Sequence, residues 1–232
     1  MFSLRKSSMF RSVGLVSRAM AGISAVLAAG LLLGVPMGCS GGGSGGPVTV
    51  PLSYTPEHAR DAIRSYPGSV PAARIYIGNI EDKRDRKDAI GENTESGSPI
   101  AIHSPSSPAD FVRQTLATQL QRAGLHVVSD PAGADRTLTG DLTHFWVIES
   151  NNYEAQIDVK LRLTDGSGAV KWESAESGRG QTFGRSLNAE NYRQAISDAM
   201  VRLTYENLLT NSEFQAALKN ADAGPATVPI SR

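Results

Sequence analysis

From Tyr153 to Thr164 apolar and polar residues alternate without a break. Tyr153, Ala155, Ile157, Val159, Leu161 and Leu163 are interleaved with Glu154, Gln156, Asp158, Lys160, Arg162 and Thr164. Side chains on a strand project to opposite faces with period two, so this segment requires a strand with one face in a core and the other in water. A half-wet strand belongs in an antiparallel sheet rather than in a parallel sheet covered on both faces. Asn151-Asn152 before it and Asp165-Gly166-Ser167-Gly168 after it supply turn chemistry. Thr137 to about Phe183 therefore predicts a three-stranded antiparallel meander. In its first strand, strict parity places Leu138, Leu142, Trp146 and Ile148 on one face, with a half-buried His144 beside them.

The other elements follow from local signals. Ile75-Tyr76-Ile77 and Ile80 predict a strand that opens the domain at Arg74, with a bulge at Gly78-Asn79. The eight charges from Glu81 to Asp88 predict a solvated loop that runs on to Pro105. Ser107-Pro108-Ala109-Asp110 is a helix start, and Val112, Leu116, Leu120 and Ala123 give that helix an apolar stripe ending at Gly124. A short strand runs from Leu125 to Val128. A last helix begins after the Asn188 cap, with Tyr192, Ile196, Ala199 and Leu203 inward, and continues to Leu209. Asn211-Ser212-Glu213 caps a further short segment ending near Leu218. The expected fold class is α+β: a mostly antiparallel sheet in β-α-β-β-β-α order with two helices packed on one face.

The amino-terminal third reads differently. Arg5, Lys6, Arg11 and Arg18 form a basic stretch without an acid, and Ala19 to Val35 is apolar apart from Gly and Ser. This order is that of a secretory signal. Met37-Gly38-Cys39-Ser40 follows and contains the one cysteine of the chain. Cleavage before Cys39 and acylation of its sulfur and new amino group would give an essentially permanent anchor, since each buried CH₂ is worth about 0.8 kcal/mol. The alternative is an uncleaved anchor, because the 17-residue apolar run lies near the lower limit of a spanning helix. The boundaries expected are a signal segment 1–38, a lipidated Cys39 with a Gly/Pro/Ser-rich tether 39–73, an α+β domain 74–220 and a disordered tail 221–232. Within the tether a short helix is expected from Thr55-Pro56-Glu57 to Tyr66.

Charge excludes several functions. The 23 Lys+Arg less the four of the signal segment leave 19 against 23 Asp+Glu, a formal charge of −4. Such a chain has no broad positive field for phosphate backbones, so nucleic acid is not an expected partner. With its thiol consumed by lipid, the domain is left without a disulfide or a cysteine metal site. His58, His103, His126 and His144 do not stand at ligand spacing, and neither a metal nor a cofactor is expected. Gly178-Arg179-Gly180 and Gly184-Arg185 read as solvated turns rather than as an anion cradle. Asp82 and Arg84 are either a structural tie at the end of the first strand or the mark of a partner-binding edge. Trp172, between Lys171 and Glu173 on an edge strand, is the candidate exposed binding anchor.

Several segments together resemble the YajG family of outer-membrane lipoproteins: the first strand ending in Asp82-Lys83-Arg84, the Phe111-Val112-Arg113 helix ending in Ala123-Gly124-Leu125, the alternating strand at Tyr153, the Ala195-Ile196-Ser197-Asp198-Ala199 helix, and Leu209 to Phe214. Met37-Gly38-Cys39-Ser40 is similar to a lipobox, in which Pro36 stands where a Leu is usual. Ser40, rather than Asp, resembles the pattern sorted to the outer membrane. The resemblance implies the fold and the location, an outer-membrane lipoprotein facing the periplasm, and leaves the activity undefined; the function expected is that of a non-enzymatic binding or adaptor module for an envelope protein. The alternative is an accessory or carrier component of envelope lipid or polymer transport, which predicts an apolar groove between helices and sheet.

Overall fold

The computed structural model describes residues 47–95 and 97–219. The signal segment, Cys39 and the tail 221–232 lie outside the described residues. The strands are β1 (Val48–Thr49), β2 (Arg74–Asp82), β3 (Gly91–Asn93), β4 (Ile100–His103), β5 (His126–Val128), β6 (Arg136–Glu149), β7 (Asn152–Asp165) and β8 (Val170–Phe183). The helices are α1 (Pro108–Arg122), α2 (Ala189–Val201) and α3 (Ser212–Lys219). The fold is α+β, with one eight-stranded sheet and its helices against one face.

The meander is present as expected. β7 pairs antiparallel with β6 and β8 along its length, and Tyr153, Ala155, Ile157, Val159, Leu161 and Leu163 are all buried. The other edge of β6 is shared by two partners. β2 runs parallel to its first half, from Ile75 beside Arg136 to Asp82 beside Leu142, and β3 runs parallel to its end, from Gly91 beside Val147 to Asn93 beside Glu149. β5 extends the sheet beyond β2, and β4 with β1 extends it beyond β3. The long ladders are antiparallel, while the shorter ones joining β2, β3, β5 and β1 are chiefly parallel.

Three expectations change. The first is the face of β6. A bulge between Leu142 and His144 inserts one residue and inverts the parity, so Phe145, Val147 and Glu149 turn inward while Trp146 and Ile148 turn outward with an exposed His144. The bulge expected in β2 lies between Ile77 and Ile80. The second is the loop from Glu81 to Pro105. It contains β3 and β4, strands too short to show periodicity, and Arg84 within its charged run is buried.

The third is the tether. Its described part, 47–73, is built into the domain. Val50 donates its backbone N–H to His103 at 2.8 Å and Tyr66 donates to the Ala123 carbonyl at 2.8 Å; Val50, Ala59, Ala62 and Tyr66 are buried. Only one 3₁₀ turn, Arg60–Ala62, forms where a longer helix is expected. The domain therefore starts before Arg74.

The helices begin where their caps predict. The Ser107 hydroxyl accepts from the Asp110 N–H at 3.2 Å, and the Asn188 side chain accepts from the Glu190 N–H at 2.9 Å. After α2 the chain widens into a π-helical stretch, Arg202–Asn207, and a 3₁₀ turn, Leu208–Thr210, before Asn211 caps α3. Phe111 meets Phe145 edge-on at 6.1 Å between ring centres, and Tyr153 meets Tyr192 at 4.7 Å. These contacts place α1 and α2 on the same side of the sheet.

Gly178 and Gly180 lie inside β8, not in a turn, and face α2. A Cβ at Gly180 would stand 2.0 Å from the Ala195 carbonyl oxygen, and one at Gly178 would stand 2.0 Å from that of Ala199. Helix and strand thus meet backbone to backbone, with no room for a methyl group. Gly180→Ala is expected to destabilise the domain by about 1–3 kcal/mol through forced separation of α2, whereas Gly166→Ala, in open space, changes stability by less than about 0.5 kcal/mol. Urea unfolding of the two variants measures the contrast.

Candidate functional site

Where β2 leaves β6 and β3 has not yet joined it, the sheet is forked. The fork is filled by the loop after β2 and by the β6 bulge. The Lys83 N–H donates to the Leu142 carbonyl at 2.9 Å, the last rung before the gap. Arg84 then folds inward, 5% exposed. Its guanidinium donates to both carboxylate oxygens of Asp82, at 3.0 and 2.9 Å, and to the Ala89 carbonyl at 2.9 Å. Burial alone would push the Asp82 carboxyl up, but the hydrogen bonds and charge of Arg84 together hold it below the usual carboxylate value. Asp82 and Arg84 are thus joined as a tie between strand and loop.

On the outer surface of the fork, Arg86 lies over the Trp146 ring at 4.0 Å and reaches Glu92 at 3.8 Å. A shallow groove of about 480 Å³ runs beside it across the wet face of β6, β7 and β8, lined by His144, Trp146, Ile148, Gln156 and Arg179 among others. Its lining mixes apolar and charged groups. Farther along this face Glu173 binds Lys160 at 2.7 Å and Arg162 at 2.6 Å. Exposed pairs of this kind contribute little to stability.

Trp172 is not an exposed anchor. It stands opposite Leu163 in the β7–β8 ladder and therefore shares the inner face, where it is 5% exposed. The Phe214 ring from α3 covers it at 5.0 Å between centres. Its flanking charges, Lys171 and Glu173, project to the opposite side, as alternation requires.

The buried carboxylates Glu149 and Asp198 escape notice in the sequence. Glu149, fully buried at the end of β6, accepts from the Tyr192 hydroxyl at 2.5 Å and from the Leu187 N–H at 3.0 Å. Burial would push its carboxyl up, but the bonds from Tyr192, Leu187, Asn93 and Tyr153 outweigh that and hold it below its ordinary value. Tyr153, buried against the same carboxylate, is pushed up to about 12. Ser186 and Leu187 adopt φ values of 78° and 56°, which turn the Leu187 N–H toward Glu149 just before α2.

Asp198, 1% exposed, receives the backbone N–H groups of Glu57, His58 and Ala59 at 2.9, 3.0 and 3.2 Å. Its neighbour Ser197 accepts from the Thr55 N–H at 2.9 Å and donates to the Ser53 carbonyl at 3.2 Å. α2 is thereby clamped between the sheet and the segment 53–59. The signal for this was the run Ala195 to Val201, which has one charge and lacks a wet face, so that this end of the helix is covered on both sides.

No family model matches this chain, and no curated protein matches it. Solved structures similar to it include protein XCC0632 from Xanthomonas campestris, 11% identical, covering 75% of this chain and 96% of that one with a TM-score of 0.47. A PelC dodecamer subunit from Paraburkholderia phytofirmans is 17% identical over 67% of this chain and 94% of its own, with a TM-score of 0.40. Lipoprotein GNA1162 from Neisseria meningitidis is 13% identical over 49% of this chain and 87% of its own, with a TM-score of 0.33.

Two expected outcomes follow from the buried carboxylates. Asp198→Ala strips three N–H groups of their acceptor and should cost about 1–3 kcal/mol, with amide exchange speeding up first at residues 55–59. Glu149, favoured as the anion in the fold, contributes stability that is fully present above the ordinary carboxylate pKa and is lost as pH falls through its lower folded value. Glu149→Gln should therefore be less stable at neutral pH and show a shallower acid limb in a stability-versus-pH series.

Proposed function

We propose that this chain is a lipid-anchored envelope protein whose α+β domain works as a non-enzymatic binding or adaptor module at the periplasmic face of the outer membrane. The observation that carries this reading is the position of Cys39: the one sulfur nucleophile of its kind in the chain, directly after a basic and then apolar leader and before a glycine-rich stretch. The similarity to YajG proteins and to their lipobox agrees with it, as does Ser40 for outer-membrane sorting.

The domain's own chemistry supports binding over catalysis. Arg84, Glu149 and Asp198 are each engaged by hydrogen bonds that hold strands, loops and α2 together. A protein partner fits an anchored module because fixing one end of it raises the local concentration of whatever surface it presents. The carrier alternative asks for an apolar groove between helices and sheet. That space is filled instead: α2 touches the backbone of β8 at Gly178 and Gly180, and Phe145, Tyr153 and Tyr192 close the layer.

Intact mass of the protein extracted from membranes is expected to show loss of residues 1–38 and the added mass of acyl chains on residue 39. Cys39→Ser is expected to move the protein out of the membrane pellet. An unprocessed mass, or a serine variant that pellets unchanged, overturns the anchor.

A further inference from the structure

The path of the chain into the sheet says which end of the domain lies nearest the membrane, given the lipidated Cys39 on which this inference rests. β1 is parallel to β4, with Val48 beside Ile102; Ile102 pairs with Gly91 of β3, and Gly91 pairs with Val147 of β6. Pro47 therefore lies level with Ile148, and the chain before it leaves toward the Glu149 end of β6. β8 ends at the same place: Phe183 pairs with Asn152, next to the β6–β7 turn. From Cys39 to Pro47 is eight residues, which reach at most about 29 Å even when fully drawn out. The tether expected from the sequence ran on to residue 73.

This end carries the most exposed of the large apolar side chains among the described residues. Phe183 is 89% exposed, and Ile148, on the same outer face and level with Pro47, is 38% exposed. An aromatic side chain left open to water at a strand terminus has no role in the core. Beside a bilayer it gains burial at the boundary between headgroups and acyl chains. Val170, 55% exposed, lies at the opposite end of β8, about 40 Å away at roughly 3.3 Å per residue. The geometry points to a membrane-facing end of the domain, formed by Phe183 and Ile148 around the β6–β7 turn, that rests on the lipid surface into which the Cys39 chains insert. The domain is thus oriented, with the Val170 end and the Asp165 to Ala169 turn directed away from the lipid and available to a partner.

Thiol labelling of the mature protein in phospholipid vesicles tests this, because a thioether at Cys39 leaves the parent chain without a free thiol. Phe183→Cys and Val170→Cys change exposed side chains, so both variants should fold. Each is coupled to the same environment-sensitive fluorophore. The label at residue 183 is expected to be quenched several-fold more by nitroxide-bearing phospholipid, and several-fold less by aqueous iodide, than the label at residue 170. Equal quenching at the two positions, or the reverse order, overturns the membrane-facing end while leaving the anchor intact. Labelling of the parent protein reports a free Cys39 thiol and overturns the anchor, and the orientation with it.

Discussion

Both edges of β6 are in use along most of its length, and the architecture depends on how they are shared. A buried strand must satisfy its backbone N–H and C=O groups on two sides. β7 satisfies one side throughout, but the other side is met by two strands that are distant in sequence, β2 and β3. The gap between them is where regular pairing fails, and the β6 bulge sits there. One extra residue at that point re-aims every side chain beyond it, which brings Glu149 into the interior and puts Trp146 outside.

Burying carboxylates and a guanidinium is costly unless each is fully hydrogen-bonded, and then it ties down whatever supplies the bonds. Arg84 is tied to Asp82 and to the Ala89 carbonyl, so the loop filling the fork has a fixed path. Glu149 holds the turn into α2 through Leu187 and α2 itself through Tyr192. Asp198 holds the segment that precedes β2. These three sites fasten irregular chain to regular elements, where hydrophobic packing alone specifies little. The glycines of β8 complete the arrangement by letting α2 approach close enough for its other side to accept the amino-terminal segment.

Under the proposed anchor, a protein whose amino-terminal segment is fastened in this way would be held close to its lipid. Chain that is folded into the domain contributes no reach, so with a lipidated Cys39, as proposed, the spacing between membrane and domain would be set by the few residues between Cys39 and Pro47. That favours a fixed presentation of one end of the sheet over free search by a long flexible arm.

Where a local rule has a period or a cap, it was legible in the residues themselves. The alternation at Tyr153 determined β7 and its neighbours, Ser107-Pro108 and Asn188 determined where α1 and α2 begin, and the sum of these determined an α+β class. The leader and Cys39, too, are features that only the sequence carries. The tertiary structure decided what no local pattern encodes: that Val48–Thr49, Gly91–Asn93 and Ile100–His103, each too short to show a period, find partners far along the chain, and that 53–59 is fastened to α2. It also decided the faces of Trp146 and Trp172, since a bulge and a cross-strand register are properties of two strands together. The physical reason is that periodicity reports the boundary between core and water along one element, whereas pairing, register and the partners of a buried charge depend on residues that meet only after the chain has folded.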